Sequence, residues 1–290
     1  MFGDSFTAGE FIETPWCDKM NQLASENGLN MEFYSFGIDG GGIENWHSIF
    51  FNEVLPNYEF DGVIVAAFYE NFRRDFIANI TLDSTIYFGY FKSAPPKDMK
   101  PTPDKNWAEE NNFSKGWKIA SDSSINQTLQ SISIKQISHT PFSFAALNKL
   151  FQKLLSMNYK RKTSVDKEEI GNIEASVKKI YPAEKLKRMN ELFSSIKQNK
   201  KRVILATIPA KGGATNNSPN TEKKLNRHQQ EFQYFAKKYG IDFFDSYPDF
   251  QKINPDSIDS FWLKHDWHWN QKGSDYFANS IYNYLQKNYP

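Results

Sequence analysis

A serine near the start of the chain and an aspartate–histidine pair near its end could together carry out nucleophilic catalysis. Ser5 follows Gly3 and Asp4. This motif is typical of a tight turn between a strand and a helix, which lifts one hydroxyl out of the backbone. Asp266 and His268 precede a last amphipathic helix. A histidine can take the serine proton as general base, and an aspartate can orient the histidine. The chain therefore holds a candidate nucleophile, base and orienting acid.

Four blocks of residues together resemble the markers of the SGNH hydrolases, also called GDSL-type esterases. Gly3-Asp4-Ser5 resembles the nucleophile block, and Asp266-Trp267-His268 resembles the block that carries the acid and the base. Residues 36–41 (Phe-Gly-Ile-Asp-Gly-Gly) resemble the block whose glycine N–H helps to form the oxyanion hole. Tyr69-Glu70-Asn71 resembles the block whose asparagine completes that hole.

The resemblance implies a role for each matching residue. Ser5, His268 and Asp266 would be the nucleophile, the general base and the orienting acid. The oxyanion hole would consist of the backbone N–H groups of Ser5 and Gly40 and the side-chain amide of Asn71. Losing one donor of such a hole typically raises the barrier by about 3 to 4 kcal/mol. No cofactor and no metal are implied.

Two departures from the usual blocks bear on the reaction. The third block usually reads Gly-x-Asn-Asp, whereas Glu70 precedes the asparagine here and Phe72 follows it. The fourth usually reads Asp-x-x-His, which would put the acid at position 265, and that residue is His265. The spacing Asp-x-His-Trp instead resembles the subgroup that contains the alginate O-acetyltransferases and related bacterial polysaccharide-modifying proteins.

These residues are compatible with three functions. The first is a serine esterase that removes an acyl group, acetyl above all, from a carbohydrate or another alcohol. The second is an O-acetyltransferase that passes the same acyl group from the serine to a polysaccharide hydroxyl instead of water. The third is a non-catalytic carbohydrate-binding protein on the same fold.

Each candidate residue also has an ordinary interpretation. Ser5 could be a turn former, Asn71 a turn residue, and His268 could cap or pack near the last helix. His265, Asp266 and His268 could instead ligate a metal, although no further cysteine or histidine is near them in sequence. Four motifs in the right order, each at the end of a strand or helix, favour the catalytic interpretation.

The alternation of strands and helices predicts an α/β fold with a doubly wound, mostly parallel five-stranded sheet and helices on both faces. After a short first strand, the predicted strands cover residues 31–36, 63–68, 202–208 and 241–244, and the predicted helices cover 15–27, 43–55, 186–196, 221–239 and 270–285. The resemblance implies the flavodoxin-like form of this sheet. Ligands of such sheets bind at the carboxyl ends of strands, where the candidate residues fall.

Residues 79–180 interrupt this pattern with a proline-rich loop and scattered aromatic residues. We therefore predict one domain, residues 1–290, in which 79–180 form an insertion. A stretch of this length between two strands usually has a function. It is either a cap over the pocket or a peripheral packing element.

Composition restricts the partners. The chain has 35 Lys and Arg against 34 Asp and Glu, so it lacks the basic surface expected of a nucleic-acid binder. Its 25 Phe, 14 Tyr and 7 Trp suit a pocket for sugars or acyl chains, and the expected partner is a small-molecule or carbohydrate ester. Cys17 is the single cysteine, which excludes an internal disulfide and a thiolate metal site.

Localisation does not follow from the sequence. The longest apolar run, residues 62–68, is far shorter than the roughly 20 residues of a membrane span. Only Met1 and Phe2 precede Gly3, whereas a first strand usually has about five residues, so the amino terminus looks truncated. A missing piece could have carried a signal or an anchor. The resemblance is compatible with the cell envelope or the periplasm.

Overall fold

The computed structural model describes residues 1–9, 12–82, 85–91, 114–118, 173–214, 227–264 and 266–289. The chain divides into two compact units. The first comprises residues 1–78, 90–99 and 177–290, and the second comprises residues 79–89 and 100–176. Most of the segment 79–180 lies outside the described residues, so its interpretation as an insertion or cap stays a prediction.

The first unit is built on a parallel sheet. In chain order the strands of the described residues are β1 (Phe2–Gly3), β2 (Phe36–Gly37), β3 (Gly62–Ala67), β4 (Phe76–Leu82), β5 (Thr85–Phe91), β6 (Ser114–Lys118), β7 (Arg202–Thr207) and β8 (Asp242–Phe244). Five of them form a sheet in the order β2-β1-β3-β7-β8, and every pair in it is parallel. The predicted fold class is confirmed.

The central pair β3 and β7 is in continuous register from Gly62 opposite Arg202 to Ala67 opposite Thr207. All residues of both strands after the first are buried. Their apolar runs therefore form the middle of the sheet, as expected for strands that are covered on both faces.

The predicted strand over residues 31–36 is wrong for most of its length, because β2 contains only Phe36 and Gly37. The alternating pattern there lacks a partner, since β2 pairs only with the two residues of β1. A strand can extend only as far as a neighbour supplies hydrogen bonds.

Helices connect the strands. In the described residues they are α1 (Ser5–Ala8), α2 (Trp16–Glu26), α3 (Ile43–Ile49), α4 (Leu55–Asn57), α5 (Ile173–Ile180), α6 (Ala183–Gln198), α7 (Lys211–Ala214), α8 (Arg227–Tyr239), α9 (Tyr247–Phe250), α10 (Pro255–Ile258) and α11 (Gln271–Asn288). A π-helical turn, Phe50–Val54, joins α3 to α4. The predicted helices are confirmed where the structure describes them; residues 221–226 lie outside the described part.

The helices cover both faces of the sheet. Residues from α2 and α11, among them Trp16 and Phe277, share one buried cluster with Ile64 and Ile204. Because side chains alternate along a strand, the buried neighbours of these residues, such as Val65, point to the opposite face. On that face α6 and α8 pack against β7, and α3 packs against α6.

Most described residues of the second unit lie in a three-stranded sheet in the order β4-β5-β6, and residues 173–176 belong to α5. Strands β5 and β6 are antiparallel, with an irregular register between Thr85 and Tyr87. Among the helices that the structure describes, none is both long enough and apolar enough to cross a membrane.

Candidate active site

Ser5 is the first residue of α1 and directly follows the β1 strand and one turn residue. That turn residue, Asp4, is the N-cap: its Oδ1 accepts a hydrogen bond of 3.1 Å from the backbone N–H of Phe6. A Cβ at Gly3 would lie 1.8 Å from Thr7 Oγ1, so glycine lets the strand pass directly under the helix. The predicted strand–turn–helix geometry is present, and it holds the Ser5 hydroxyl at the carboxyl end of β1.

The Ser5 hydroxyl meets the histidine from the other end of the chain. Ser5 Oγ lies 2.6 Å from His268 Nε2, and His268 Nδ1 lies 2.5 Å from Asp266 Oδ1. The same carboxylate oxygen accepts the backbone N–H of His268 at 2.9 Å. A neutral imidazole that donates from Nδ1 to Asp266 has a free lone pair on Nε2 for the serine proton. The three residues form one continuous chain of hydrogen bonds.

Aromatic packing and a short bridge orient the loop that carries His268. Trp262 and Trp269 form an antiparallel bridge, and Leu263 N–H donates to the His268 carbonyl at 2.9 Å. The imidazole packs beside the ring of Phe6, with 4.7 Å between the ring centroids. Because Phe6 follows Ser5 directly, nucleophile and base are held against the same helix.

The environment of Asp266 favours its charged form. Partial burial by itself would raise the pKa of this carboxyl. The hydrogen bonds from the His268 backbone and imidazole, together with the attraction of the His268 charge, outweigh it and hold the Asp266 pKa below its ordinary value. The group is therefore ionised near neutral pH and can orient an imidazolium.

The glycine-rich turn after β2 lies against the serine helix. A Cβ at Gly37 would come within 2.3 Å of the Ala8 backbone nitrogen, which only glycine permits. Gly40 has φ 69°, a left-handed conformation, and Gly41 N–H donates to the Ile38 carbonyl at 2.8 Å. Among the described residues the Gly40 N–H has no acceptor. It is therefore one of the N–H groups of this turn that are available to a ligand.

Asn71 lies just beyond the carboxyl end of β3 and is fully buried. Its Oδ1 accepts the Phe68 N–H at 2.5 Å, and its Nδ2 donates to Asp4 Oδ2 at 2.8 Å and to the Gly41 carbonyl at 3.2 Å. Both amide N–H groups are therefore engaged in this structure. Donation to an oxyanion would require the longer bond, to Gly41, to be exchanged for one to the ligand.

The sequence motifs include Asp4 in the nucleophile block without a role of its own, and Arg74 lies outside all four blocks. In the structure the Asp4 carboxylate is 1% exposed and contacts Arg74 Nη1 at 3.2 Å. Burial raises the pKa of Asp4 above its ordinary value, against the opposing effects of the Arg74 charge and the hydrogen bonds from Asn71 and Phe6. No sequence pattern signals this pair, because seventy positions separate the two residues.

Replacing Gly42 by alanine should disturb the site through the backbone. A Cβ at this position would lie 2.2 Å from the Asn71 carbonyl oxygen, and a backbone atom cannot move aside as a side chain can. We expect Gly42→Ala to lower the free energy of unfolding by about 2 kcal/mol. Thermal unfolding monitored by circular dichroism measures this loss. Gly28→Ala is an imperfect control, because φ at Gly28 is 66° although nothing lies within 4 Å of its added Cβ; a larger loss there would contradict the steric argument.

The described residues contain no group of three or more His, Cys, Asp or Glu side chains that could hold a metal ion. His265, a member of the proposed ligand set, lies outside the described residues.

The Cys17 thiol is buried and donates a hydrogen bond to the Phe33 carbonyl at 3.3 Å. Burial raises the pKa of this thiol to about 12.

Fold and site together define a class: a parallel α/β protein with a hydrogen-bonded serine, histidine and aspartate at the carboxyl edge of its sheet. Residues 171–290 match the model of a family described as "SGNH hydrolase-like domain, acetyltransferase AlgX". Over that part of the chain, the match confirms the predicted resemblance to the SGNH hydrolases and to the AlgX-like acetyltransferases. No curated protein matches the chain.

Several solved structures are similar in fold. An acetyl xylan esterase, AlAXEase, is 14% identical, with a TM-score of 0.47 over 98% of each chain. A lipase/acylhydrolase from Enterococcus faecalis is 14% identical, with a TM-score of 0.46 over 99% of this chain and 93% of that chain. A catalytic mutant of Axe2, an acetylxylan esterase from Geobacillus stearothermophilus, is 12% identical, with a TM-score of 0.44 over 98% and 90%. Likeness at this level carries no conclusion about activity.

Proposed function

We propose that this protein is a serine-dependent acyl-ester enzyme that removes an acyl group, acetyl above all, from a carbohydrate or another alcohol. The observation that carries the proposal is the continuous hydrogen-bonded path from Ser5 Oγ through His268 to Asp266. As Ser5 Oγ attacks the ester carbonyl, its proton passes to His268 Nε2. His268 then gives that proton to the leaving alcohol, and the acyl group stays on Ser5. In the second half-reaction His268 deprotonates a water molecule, which releases the acid.

The negative oxygen of the tetrahedral intermediate needs donors near Ser5. The N–H of Ser5 is at the start of α1, where helix geometry provides no acceptor within the helix. The Gly40 N–H is the second proposed donor, and the Asn71 amide, released from Gly41, is the third. Two of these donors are preorganised on the backbone, which is the arrangement that lowers such barriers most effectively.

An exposed tryptophan beside the site supports a carbohydrate substrate. Trp267 stands between Asp266 and His268, and it is 63% exposed. Among the described residues no aromatic ring packs on it. Such a side chain offers a large flat face together with a polar N–H, which suits the apolar face and hydroxyl groups of a sugar ring.

We expect Trp267→Ala to lower kcat/KM for an acetylated xylo-oligosaccharide about tenfold, mainly through KM, because one aromatic contact is lost. Hydrolysis of p-nitrophenyl acetate, which has no sugar ring, should stay within about twofold of wild type. Tyr34→Ala is the matched control. Tyr34 is 51% exposed and precedes β2, so it lies at the amino end of this strand, whereas the site lies at the carboxyl ends of the strands. Equal losses on both substrates would show that Trp267 supports the triad loop and does not select the substrate.

Transfer to a sugar hydroxyl is the second candidate function. The match to a family described by an acetyltransferase supports it. The two reactions share the acyl-serine and differ in the acceptor that reaches it. A transferase needs a site that holds the acceptor hydroxyl beside the acyl-serine, so that the acceptor reacts with the acyl group faster than water does.

Product analysis separates these functions. The protein is incubated with p-nitrophenyl acetate and a xylo- or chito-oligosaccharide, and free acetate and acetylated sugar are quantified. Acetate as the main product supports hydrolysis, and acetylated sugar supports transfer. A fluorophosphonate probe should label Ser5 in either case. Absence of both turnover and labelling contradicts the proposal and favours the carbohydrate-binding protein.

A further inference from the structure

The buried Asp4 carboxylate joins two segments of the site, and Asn71 and Arg74 connect both to a third. Asp4 Oδ1 accepts from the Phe6 N–H in the serine turn, and Asp4 Oδ2 accepts from Asn71 Nδ2 at 2.8 Å and from Arg74 Nη1 at 3.2 Å. Arg74 Nη1 is also 3.4 Å from the Gly41 carbonyl, which Asn71 contacts from its own side. The serine turn, the glycine turn and the Asn71 segment are therefore joined through one carboxylate and one guanidinium.

Few charged groups act on the Asp4 carboxylate. The Asp4 side chain is 1% exposed, whereas that of Arg74 is 28% exposed. The charged groups that act on Asp4 are the Arg74 guanidinium and, when it is protonated, the His268 imidazole; the Asn71 amide and the Phe6 N–H contribute neutral hydrogen bonds. A buried carboxylate that loses its cation is left with its desolvation penalty uncompensated. Arg74 therefore decides whether Asp4 is held as an anion.

Close approach of backbones makes this contact possible. Arg74 follows the 3₁₀ turn Asn71–Arg73, so Asn71 and Arg74 lie in the same short segment. A Cβ at Gly42 would lie 3.0 Å from the Arg74 Cβ, so the glycine turn packs directly against this segment. The planar guanidinium can donate to a carboxylate and to a carbonyl at once, which an ammonium does with less fixed geometry.

We propose that Arg74 is a positioning residue of the site, which holds Asp4 ionised and thereby fixes the Asn71 amide and the Gly41 carbonyl beside Ser5. This inference rests on the proposed function, since the Asn71 amide is a proposed oxyanion donor and Gly41 directly follows another, Gly40. An anionic Asp4 accepts both the Asn71 and the Arg74 hydrogen bonds on Oδ2. A protonated Asp4 would present a donor to one of them, and the serine turn would lose a hydrogen bond that ties it to the Asn71 segment.

The test compares Arg74→Gln with Arg74→Lys and with Arg73→Gln, which removes the same charge one residue earlier on an exposed side chain. The Asp4 carboxyl is titrated by carbon-13 NMR and assigned with Asp4→Asn. We expect Arg74→Gln to raise the Asp4 pKa by at least about one unit. Arg74→Lys should retain most of the wild-type titration, and Arg73→Gln should leave it unchanged.

Stability should follow the same titration. A carboxyl whose folded-state pKa lies above its unfolded value costs stability as the pH rises through that range. Arg74→Gln increases this cost, so we expect its unfolding temperature to fall by about 5 °C at pH 7. The deficit should shrink as the pH falls through the Asp4 pKa. A deficit that is the same at every pH would indicate lost packing alone and would overturn the inference.

The rate at which a fluorophosphonate labels Ser5 tests whether the charge of Arg74 affects the site. We expect Arg74→Gln to slow labelling about 10- to 100-fold, because small displacements of reacting groups have effects of this size. An unchanged Asp4 pKa, or an unchanged labelling rate in Arg74→Gln beside an active wild type, would overturn the inference. Failure of the wild-type protein itself to be labelled contradicts the proposed function instead, and the Asp4 titration then decides on the ion pair alone.

Discussion

Ser5→Ala and His268→Ala should each lower kcat for p-nitrophenyl acetate by about 10⁴- to 10⁶-fold, the largest effects that we expect of any substitution in this chain. The first removes the only atom that can form the acyl intermediate, and the second removes the base 2.6 Å from it. Since the two residues act as a unit, the double variant should be no slower than either single one. Initial rates at saturating substrate, followed by release of p-nitrophenolate, measure these losses.

Stability measurements show whether such losses are catalytic. The Ser5 hydroxyl contacts His268, whose side chain is partly exposed, so its removal should change the unfolding temperature little. Ser260→Ala is the control, because Ser260 is exposed and its hydroxyl, which donates to the Ser257 carbonyl and accepts from Lys272 Nζ, contacts no residue of the proposed triad. Retained turnover in Ser5→Ala or in His268→Ala, with the protein folded, would end the assignment of nucleophile and base.

Asp266→Asn should lower kcat by about 10⁴-fold without unfolding the protein. The side-chain oxygen of asparagine can accept a hydrogen bond from His268 Nδ1–H, but it carries no charge that would stabilise the imidazolium. If the NH₂ group faces Nδ1 instead, it favours the tautomer that carries its proton on Nε2, which cannot act as the base. Because the Asp266 side chain is 44% exposed, the ion pair that it forms with a protonated His268 contributes little to stability. We therefore expect Asp266→Asn to lower kcat strongly while it changes the unfolding temperature little.

His265→Ala is the control for this assignment, because the usual spacing of the fourth block would place the acid at position 265. We expect this variant to keep most of the wild-type activity. A larger loss in His265→Ala than in Asp266→Asn would show that the spacing Asp-x-His has been interpreted wrongly.

The sequence supported the central sheet well because its signals there are local. The apolar residues of β3 and β7 lie in the middle of the sheet, and such a run needs no knowledge of its partner to indicate a strand covered on both faces. β2 shows the limit of the same reasoning. Its alternating residues predict a strand, but pairing depends on a neighbour, and β1 supplies only Phe2 and Gly3.

The candidate site divides in the same way. The motifs pointed to Ser5, Asp266 and His268, and the structure brings these three within hydrogen-bond distance of one another. The motif also named Asn71, but its amide is turned towards Asp4 and Gly41. Orientation of an amide depends on which acceptors surround it, and the surrounding groups come from distant parts of the chain.

By itself the sequence determined which residues carry chemical groups and which strands lie in the middle of the sheet, since both depend on residue type and on short-range pattern. Only the tertiary structure decided that a buried Asp4 carboxylate joins the serine turn to the segment after β3 and that Arg74 supplies its counter-charge. The physical reason is that the free energy of a buried charge depends on its neighbours in space. Those neighbours are set by the close approach of the serine turn, the glycine turn and the segment after β3.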